Sequence, residues 1–102
     1  MSINLQNGKI TYNELFVNFN TPYSEQIYNL TEDLLQVEYD NGYILDVGWY
    51  PEFDINGCFK VCAVKNCEWD KPIFSANCGN KSELENAVNR AVEIIKGVGD
   101  YE

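Results

Sequence analysis

The dipeptide Asn41-Gly42 lies between two runs of alternating apolar and polar residues, an arrangement typical of a β-hairpin. A two-residue loop would place Glu38 opposite Leu45 and mix polar with apolar side chains on one face. A three-residue loop that begins one position earlier, with Gly42 in the left-handed region, pairs Val37 with Leu45 instead. Strand register follows the buried face, so the sequence predicts the three-residue loop and a sheet with one apolar face.

A second hairpin is indicated by Asn56-Gly57, which follows a run that continues from the first hairpin. The same reasoning predicts a loop of residues 55–57. This loop would place Phe53 opposite Phe59 on the apolar face, which also carries Trp49. A further strand is predicted for residues 73–78.

Helices are predicted on both sides of these strands. Residues 82–97 carry apolar side chains at helical spacing, with Ser82 and Glu85 as a capping box and Gly97 at the end. Residues 21–33 are predicted to form an earlier helix that begins at a Thr-Pro pair. In the first twenty residues Asn7-Gly8 favours a hairpin and Thr11-x-x-Glu14 favours a helix start, and we expect a strand followed by a helix.

These elements predict one domain over residues 1–102, with the α+β fold class. We expect an antiparallel β-meander of three to four strands, with N-terminal and C-terminal helices packed on one face. The other face of the sheet would then be exposed to solvent at least in part.

The charges of the chain are strongly segregated. The formal net charge is −9, and residues 10–59, here called the base-free half, contain no Lys or Arg. In the rest of the chain acidic and basic residues cancel. The nine acids of the base-free half are Glu14, Glu25, Glu32, Asp33, Glu38, Asp40, Asp46, Glu52 and Asp54. Such a field repels nucleic acid and anionic membrane and attracts basic partners, although acidity also serves solubility.

Catalytic and metal-binding patterns are weak, so we expect neither enzyme activity nor a cofactor. The chain has no His, which removes the commonest general base, and no phosphate-binding or nucleophile motif is present. The stretch from Glu52 to Gly57 imitates the start of a calcium loop, but Ala63 stands where the loop needs its bidentate Glu. The four cysteines, which lack tight C-x2-C spacing, are Cys58, Cys62, Cys67 and Cys78.

A cytosolic location is expected, because no secretory signal or membrane-spanning apolar run is apparent. In a reducing cytosol the cysteines would be free thiols. A third hypothesis for the function is a small metal- or redox-responsive module that uses these cysteines. Partner recognition explains the sequence better, because aromatic residues interleaved with acids suit an interface with a basic protein. The candidate partner-binding residues are Glu38, Asp40, Asp46, Tyr50, Glu52, Asp54, Glu68, Trp69 and Asp70.

The segment from Tyr43 to Cys78 resembles small bacterial immunity proteins of contact-dependent growth inhibition and related toxin systems. The resembling elements are LDVGWYPE, the D-x-N-G hairpin and EWDKPI, and they lie in about a third of the chain. The resemblance implies a cytosolic, non-enzymatic inhibitor that binds one secreted toxin domain, often a nuclease with a basic active site. We therefore expect a monomer that forms a one-to-one complex with a basic toxin domain and makes no direct contact with nucleic acid or membrane. The alternative is a nucleic-acid mimic that inhibits a host or phage DNA- or RNA-binding protein.

Overall fold

The computed structural model describes residues 3–100, with the side chains of residues 3–97. It contains a five-stranded sheet and one long helix. The elements are β1 Lys9–Asn13, β2 Leu35–Glu38, β3 Tyr43–Tyr50, β4 Cys58–Lys65, β5 Phe74–Cys78 and α1 Lys81–Asp100. Neighbouring strands in the sheet follow one another along the chain and are antiparallel, so the sheet is a β-meander.

The first hairpin has the predicted register. Val37 lies opposite Leu45, and the Tyr39 amide donates a hydrogen bond to the Tyr43 carbonyl that closes a three-residue loop. Gly42 has a φ of 87°, which is the left-handed conformation that the loop requires. The apolar alternation of β2 and β3 therefore decides the register in the way expected.

The predicted register of the second hairpin is wrong. Phe59 lies opposite Trp49 rather than Phe53, and residues 51–57 form a longer loop between β3 and β4. Pro51 has no amide hydrogen to give to a strand ladder, so β3 ends at Tyr50. Both registers place Phe59 on the apolar face, which is why alternation alone did not distinguish them.

The predicted three to four strands and the predicted N-terminal helix are also corrected. The sheet has a fifth strand because β1 pairs with β2 at its edge, and residues 14–34 contain no α-helix. In place of the helix over residues 21–33 there are two 3-10 turns, Tyr23–Glu25 and Ile27–Asn29. The Gln26 side chain accepts a hydrogen bond from the Asn18 amide and donates to two carbonyls nearby. Side-chain bonds to the backbone of this kind compete with a helical ladder.

One face of the sheet, here called the covered face, forms the core with α1. The segment between β1 and β2 covers the rest of this face in an irregular conformation, which is the role predicted for the N-terminal helix. Leu30 and Leu34 of this segment are fully buried in the core. The residues that pack against the core from outside are Leu15, Val17, Phe19 and Tyr23. Tyr23, Trp49 and Phe59 form edge-on ring contacts with centroids 4.9–6.1 Å apart. These contacts bury the large aromatic side chains where the sheet meets the preceding segment.

The C-terminal helix is confirmed, with a shifted start. Asn80 rather than Ser82 is the cap, since its side-chain oxygen accepts a hydrogen bond from the Glu83 amide at 2.8 Å. Glu83 in turn accepts a hydrogen bond from the Gly79 amide at 2.7 Å. The helix also continues beyond Gly97, to Asp100. Within residues 3–100, no helix combines the length and apolar character that crossing a membrane requires.

Candidate functional site

The second face of the sheet, here called the open face, carries a row of polar side chains across its middle. By strand register the row contains Tyr12, Gln36, Asp46, Cys62 and Ser75. Every strand contributes one residue, because each lies opposite the next in the antiparallel ladder. The open face is therefore polar along this row, while Ile44 and fully buried Val64 lie beside the row on the same face.

The chain before β2 brings further acids to this face. The Leu34 amide donates to the Val47 carbonyl and the Trp49 amide donates to the Thr31 carbonyl, so this segment continues alongside β3. The Glu32 carbonyl lies directly over Gly48, where a side-chain carbon would collide with it. Glycine at this position thus permits residues 31–34 to pass close to the open face.

A hollow of about 360 Å³, here called the acidic depression, lies on the open face. Its lining residues are Thr11, Tyr12, Asp33, Gln36 and Asp46. The pKa of Asp46 is raised from 3.8 to about 6, mainly by burial and then by the negative charge of Asp33, against the opposing effect of a hydrogen bond with Gln36. Two carboxyl groups therefore lie close enough to repel each other when both are ionised.

Tyr12 lines the acidic depression, and Tyr50 lies on the same face at the end of β3. The Tyr12 hydroxyl donates a hydrogen bond to Glu14 at 2.9 Å, and this bond raises the pKa of Tyr12. Burial, followed by the charges of Asp46, Glu32 and Asp33, raises the pKa of Tyr50. Tyr50 therefore lies within the electrostatic reach of three carboxylates.

Exposed apolar side chains gather beyond Tyr50, at the end of the sheet where β3 ends and β4 begins, which we call the upper end. We define the upper patch as Tyr28, Tyr50, Phe53 and Ile55. Tyr28 is 81% exposed and Phe53 is 44% exposed, and their rings meet edge-on with centroids 5.7 Å apart. Two segments that are distant along the chain thus contribute to one surface.

The loop of residues 51–57 is fixed by bonds to buried parts of the protein. The Phe53 amide donates to the Leu30 carbonyl at 2.8 Å, and the indole nitrogen of buried Trp49 donates to the Asp54 carbonyl at 2.7 Å. Phe53 has a φ of 61°, an uncommon conformation for a bulky residue. Gly57 approaches Trp49 and the Tyr50 carbonyl so closely that a side chain would not fit.

The structure distributes the candidate residues predicted from sequence over three places. Tyr50, Glu52 and Asp54 lie at the upper end, and Asp46 and Glu38 lie on the open face. Asp40 lies in the first hairpin loop, at the lower end of the sheet. Glu68, Trp69 and Asp70 belong to the loop between β4 and β5, also at the lower end, where the Asn66 amide donates to the Gly42 carbonyl. The two ends are separated by the eight residues of β3, about 24 Å at strand rise.

Sequence reasoning missed several residues of these surfaces. Phe53 was expected in the core, because the predicted register placed it opposite Phe59, but it is exposed in the upper loop. Tyr28 and Asp33 fell within the predicted helix, where nothing distinguished them. The one local sequence feature that argues against the predicted register of the second hairpin is Pro51, because a strand does not readily continue through a proline.

The acids of the base-free half remain without basic partners in the fold. Among the described side chains, Lys81 and Glu85 form an ion pair at 4.0 Å, and none of the nine acids forms one. Basic residues lie instead on β1, on β4 and beyond it. Two of these bases lie beside the base-free half without forming an ion pair with it: Lys9 is opposite Glu38, and the Lys60 amine lies over the Tyr50 ring.

The remaining reactive side chains form no comparable site in the described part of the chain. Within residues 3–97, no group of three or more His, Cys, Asp or Glu side chains is placed to hold a metal ion. The four cysteines are free, and burial raises the pKa of the Cys78 thiol. A hollow of about 450 Å³ lies beside the start of α1, but Lys81 is its charged lining residue and the Tyr23 hydroxyl there already bonds to the Gly79 carbonyl.

Comparisons with protein-family models, curated proteins and solved structures found no match to this chain.

Proposed function

We propose that this protein is a non-enzymatic inhibitor that neutralises a basic bacterial toxin domain by binding it, in the manner of an immunity protein. The observation that carries the proposal is the set of nine acids that the fold leaves without ion pairs among the described residues. In this proposal the protein acts in the cytosol, as one copy bound to one toxin domain.

The acidic depression supports a basic partner in particular. Asp46 is partly buried beside Asp33, and ionising both costs free energy because their charges repel and water is partly excluded. A Lys or Arg from a partner would reverse the sign of this interaction by placing a positive charge between them. A nuclease groove is positive because it holds phosphates, so an acidic surface of this kind would compete with its substrate.

Solubility alone explains the arrangement less well. Acids that serve solubility are effective when they are dispersed and fully hydrated. Asp46 is instead half-buried in a hollow whose other lining residues include Asp33. A partner-binding role accounts for this placement, since residues selected for binding often lower the stability of the unbound protein.

A rescue assay tests the proposal. The product of the gene immediately upstream is expressed in a test bacterium, with and without this protein, and surviving cells are counted. We expect the neighbour to kill and this protein to restore survival. We also expect the purified pair to form a one-to-one complex whose association rate falls as salt rises, because opposite charges steer the encounter.

Two outcomes would contradict the proposal. A neighbour that is harmless, or that kills regardless of this protein, would remove the immunity function, and inhibition of a basic DNA- or RNA-binding protein would become the function to test. An association rate that is independent of salt would remove the electrostatic basis, even if rescue were observed.

A further inference from the structure

We infer that the upper patch is the docking surface, and that it takes a protein segment in which an aliphatic or aromatic side chain is flanked by Lys or Arg. This inference rests on the proposed function and deepens it, since it names the surface and the chemistry of the segment that binds there. It also divides the candidate residues into those that lie at this surface and those at the opposite end of the sheet.

The first support is the clustering of exposed apolar groups. Tyr28, Phe53 and Ile55 are 81%, 44% and 48% exposed, and Tyr50 lies at the end of the strand that leads into the same loop. Single exposed apolar residues are ordinary, whereas exposed apolar side chains that meet, as the rings of Tyr28 and Phe53 do, are typical of an interaction surface. Tyrosine is also enriched among the residues that dominate binding energy.

The second support is that the patch is held in place before any partner arrives. Phe53 keeps a left-handed backbone, and its amide is bonded to the segment that carries Tyr28. The Asp54 carbonyl is bonded to buried Trp49, which joins the loop to the core. Backbone conformations of this kind cluster at binding sites, and a preformed surface loses less conformational entropy on binding.

The third support is charge. The loop of residues 51–57 contains Glu52 and Asp54 and no base, and Glu32 acts electrostatically on Tyr50 from the neighbouring segment. The Lys60 amine lies over the Tyr50 ring, 5.9 Å from its centroid, and its charge offsets one of these three acids, which leaves the surface net negative. Positive side chains on both sides of an apolar anchor would therefore complement this surface.

The lower end is a matched comparison within the same molecule. Trp69 is 48% exposed, similar to Phe53, and it is also flanked by two acids. Its segment, residues 65–71, contains Lys65 and Lys71 as well, so acids and bases cancel there. Trp69 therefore provides an exposed aromatic side chain whose own loop has balanced charges, with Asp40 in the neighbouring hairpin loop.

A peptide selection tests this inference without any toxin. The immobilised full-length protein is used to select binders from a random-peptide display library, and a selected peptide is titrated into ¹⁵N-labelled protein. We expect the peptides to contain Lys or Arg beside an aliphatic or aromatic residue. We expect their amide shift changes to centre on the upper patch and not on Trp69.

Variants make the test quantitative. We expect Tyr28→Ala and Phe53→Asn each to weaken peptide binding by about tenfold or more, as for residues at the centre of an interface. Asparagine is chosen at position 53 because it tolerates the left-handed backbone. Trp69→Ala is the control and should leave the affinity unchanged, and dispersed amide spectra establish that all three variants are folded.

The inference is overturned if no peptide is selected, if the peptides lack basic residues, or if binding maps to the lower end or to α1. It is also overturned if Trp69→Ala weakens binding as much as Tyr28→Ala does. Failure here and failure of the rescue assay are distinguishable. Binding of basic peptides without rescue would remove the immunity function but leave the surface, whereas rescue that survives Tyr28→Ala and Phe53→Asn would leave the function and remove the surface.

Discussion

Successive residues of β3 point to opposite faces of the sheet, one apolar and buried, the other carrying acidic side chains. Val47 is fully buried on the covered face, and its neighbour Asp46 points to the open face, where its pKa is raised to about 6. The covered face is packed as a core, with each large side chain in contact with others. On the open face the charges of Asp46 and Asp33 instead repel each other, which lowers the stability of the protein.

This difference separates residues that stabilise the fold from residues that are available for another role. On the covered face, substitution should remove packing and destabilise the protein. On the open face, removal of an acid should leave the fold unchanged or make it more stable, as is common for residues that serve binding. Four predictions follow this contrast, and they are ordered from the largest expected effect to the smallest.

Replacing Trp49 by Ala should destabilise the protein by about 3–5 kcal/mol. The change removes ring contacts with Tyr23 and Phe59, whose centroids lie 5.0 and 4.9 Å away, and the hydrogen bond to the Asp54 carbonyl. Urea unfolding followed by circular dichroism measures the effect. Tyr50→Ala, one residue later on the open face, is the control and should cost about 1 kcal/mol or less. Equal losses for the two variants would contradict the contrast between the faces.

Replacing Gly48 by Ala should destabilise the protein by about 1–3 kcal/mol, because the new methyl group would meet the Glu32 carbonyl. Gly79→Ala is the matched control, since a side-chain carbon there would lie at an ordinary 3.6 Å from the Glu83 carboxylate. That control should change the free energy of unfolding by no more than about 0.5 kcal/mol. If Gly48→Ala were equally harmless, residues 31–34 would not lie against the open face as described.

Replacing Asp46 by Asn should stabilise the protein at neutral pH. A carboxyl group whose pKa is about 6 in the folded chain, against 3.8 as its ordinary value, holds its proton more tightly when folded. The stability of the protein therefore falls as the pH rises from about 4 to about 6, and this loss stays constant above that window. Since Asp46 is only partly buried and solvent screens it, the gain from Asp46→Asn is on the order of 1 kcal/mol.

Urea unfolding of wild type and Asp46→Asn at about pH 4 and about pH 7.5 checks this expectation. The free energy of unfolding of the variant should exceed that of wild type by more at the higher pH. Glu38→Gln removes the same charge from an exposed position on the same face and separates the effect of burial from that of net charge. If Asp46→Asn were less stable than wild type at the higher pH, this carboxylate would stabilise the fold. That result would contradict the contrast between the covered face and the open face.

The smallest effect is expected between Lys9 and Glu38. These residues lie opposite each other on β1 and β2, yet they form no ion pair in the described structure. A double-mutant cycle with Lys9→Ala and Glu38→Ala should give a coupling of at most about 0.5 kcal/mol. A coupling of 2 kcal/mol or so would mean that the acids of the open face are paired within the fold after all, since exposed pairs rarely reach that value.

The parts of the fold that were predicted from sequence depend on local patterns. Val37 and Leu45 pair as expected because Gly42 allows the required turn and because a shift by one residue would expose the apolar face. The predicted helix over residues 21–33 failed, although Leu30 is buried as expected. Its apolar spacing was genuine, but Gln26 bonds to the backbone and the segment takes an irregular path to the same core.

The positions of the candidate site residues were predicted less well from sequence than the elements of the fold. Asp46 and Tyr50 could be placed on the open face from alternation, whereas Phe53 was assigned to the wrong register. Glu68 and Asp70 were grouped with Glu52 because they share a composition. The structure places them at opposite ends of β3. Composition carries no information about which end of a sheet a loop occupies.

By itself, the sequence determined the antiparallel meander, the first hairpin, the C-terminal helix and the separation of acidic from basic residues. Each depends on side-chain periodicity, on a glycine turn or on charge, which neighbouring residues specify. Only the tertiary structure decided that Tyr28 meets Phe53, that Glu32 lies over Gly48 and that Asp33 acts on Asp46. These contacts join segments that are distant along the chain, and their geometry follows from how the whole core packs rather than from any local pattern.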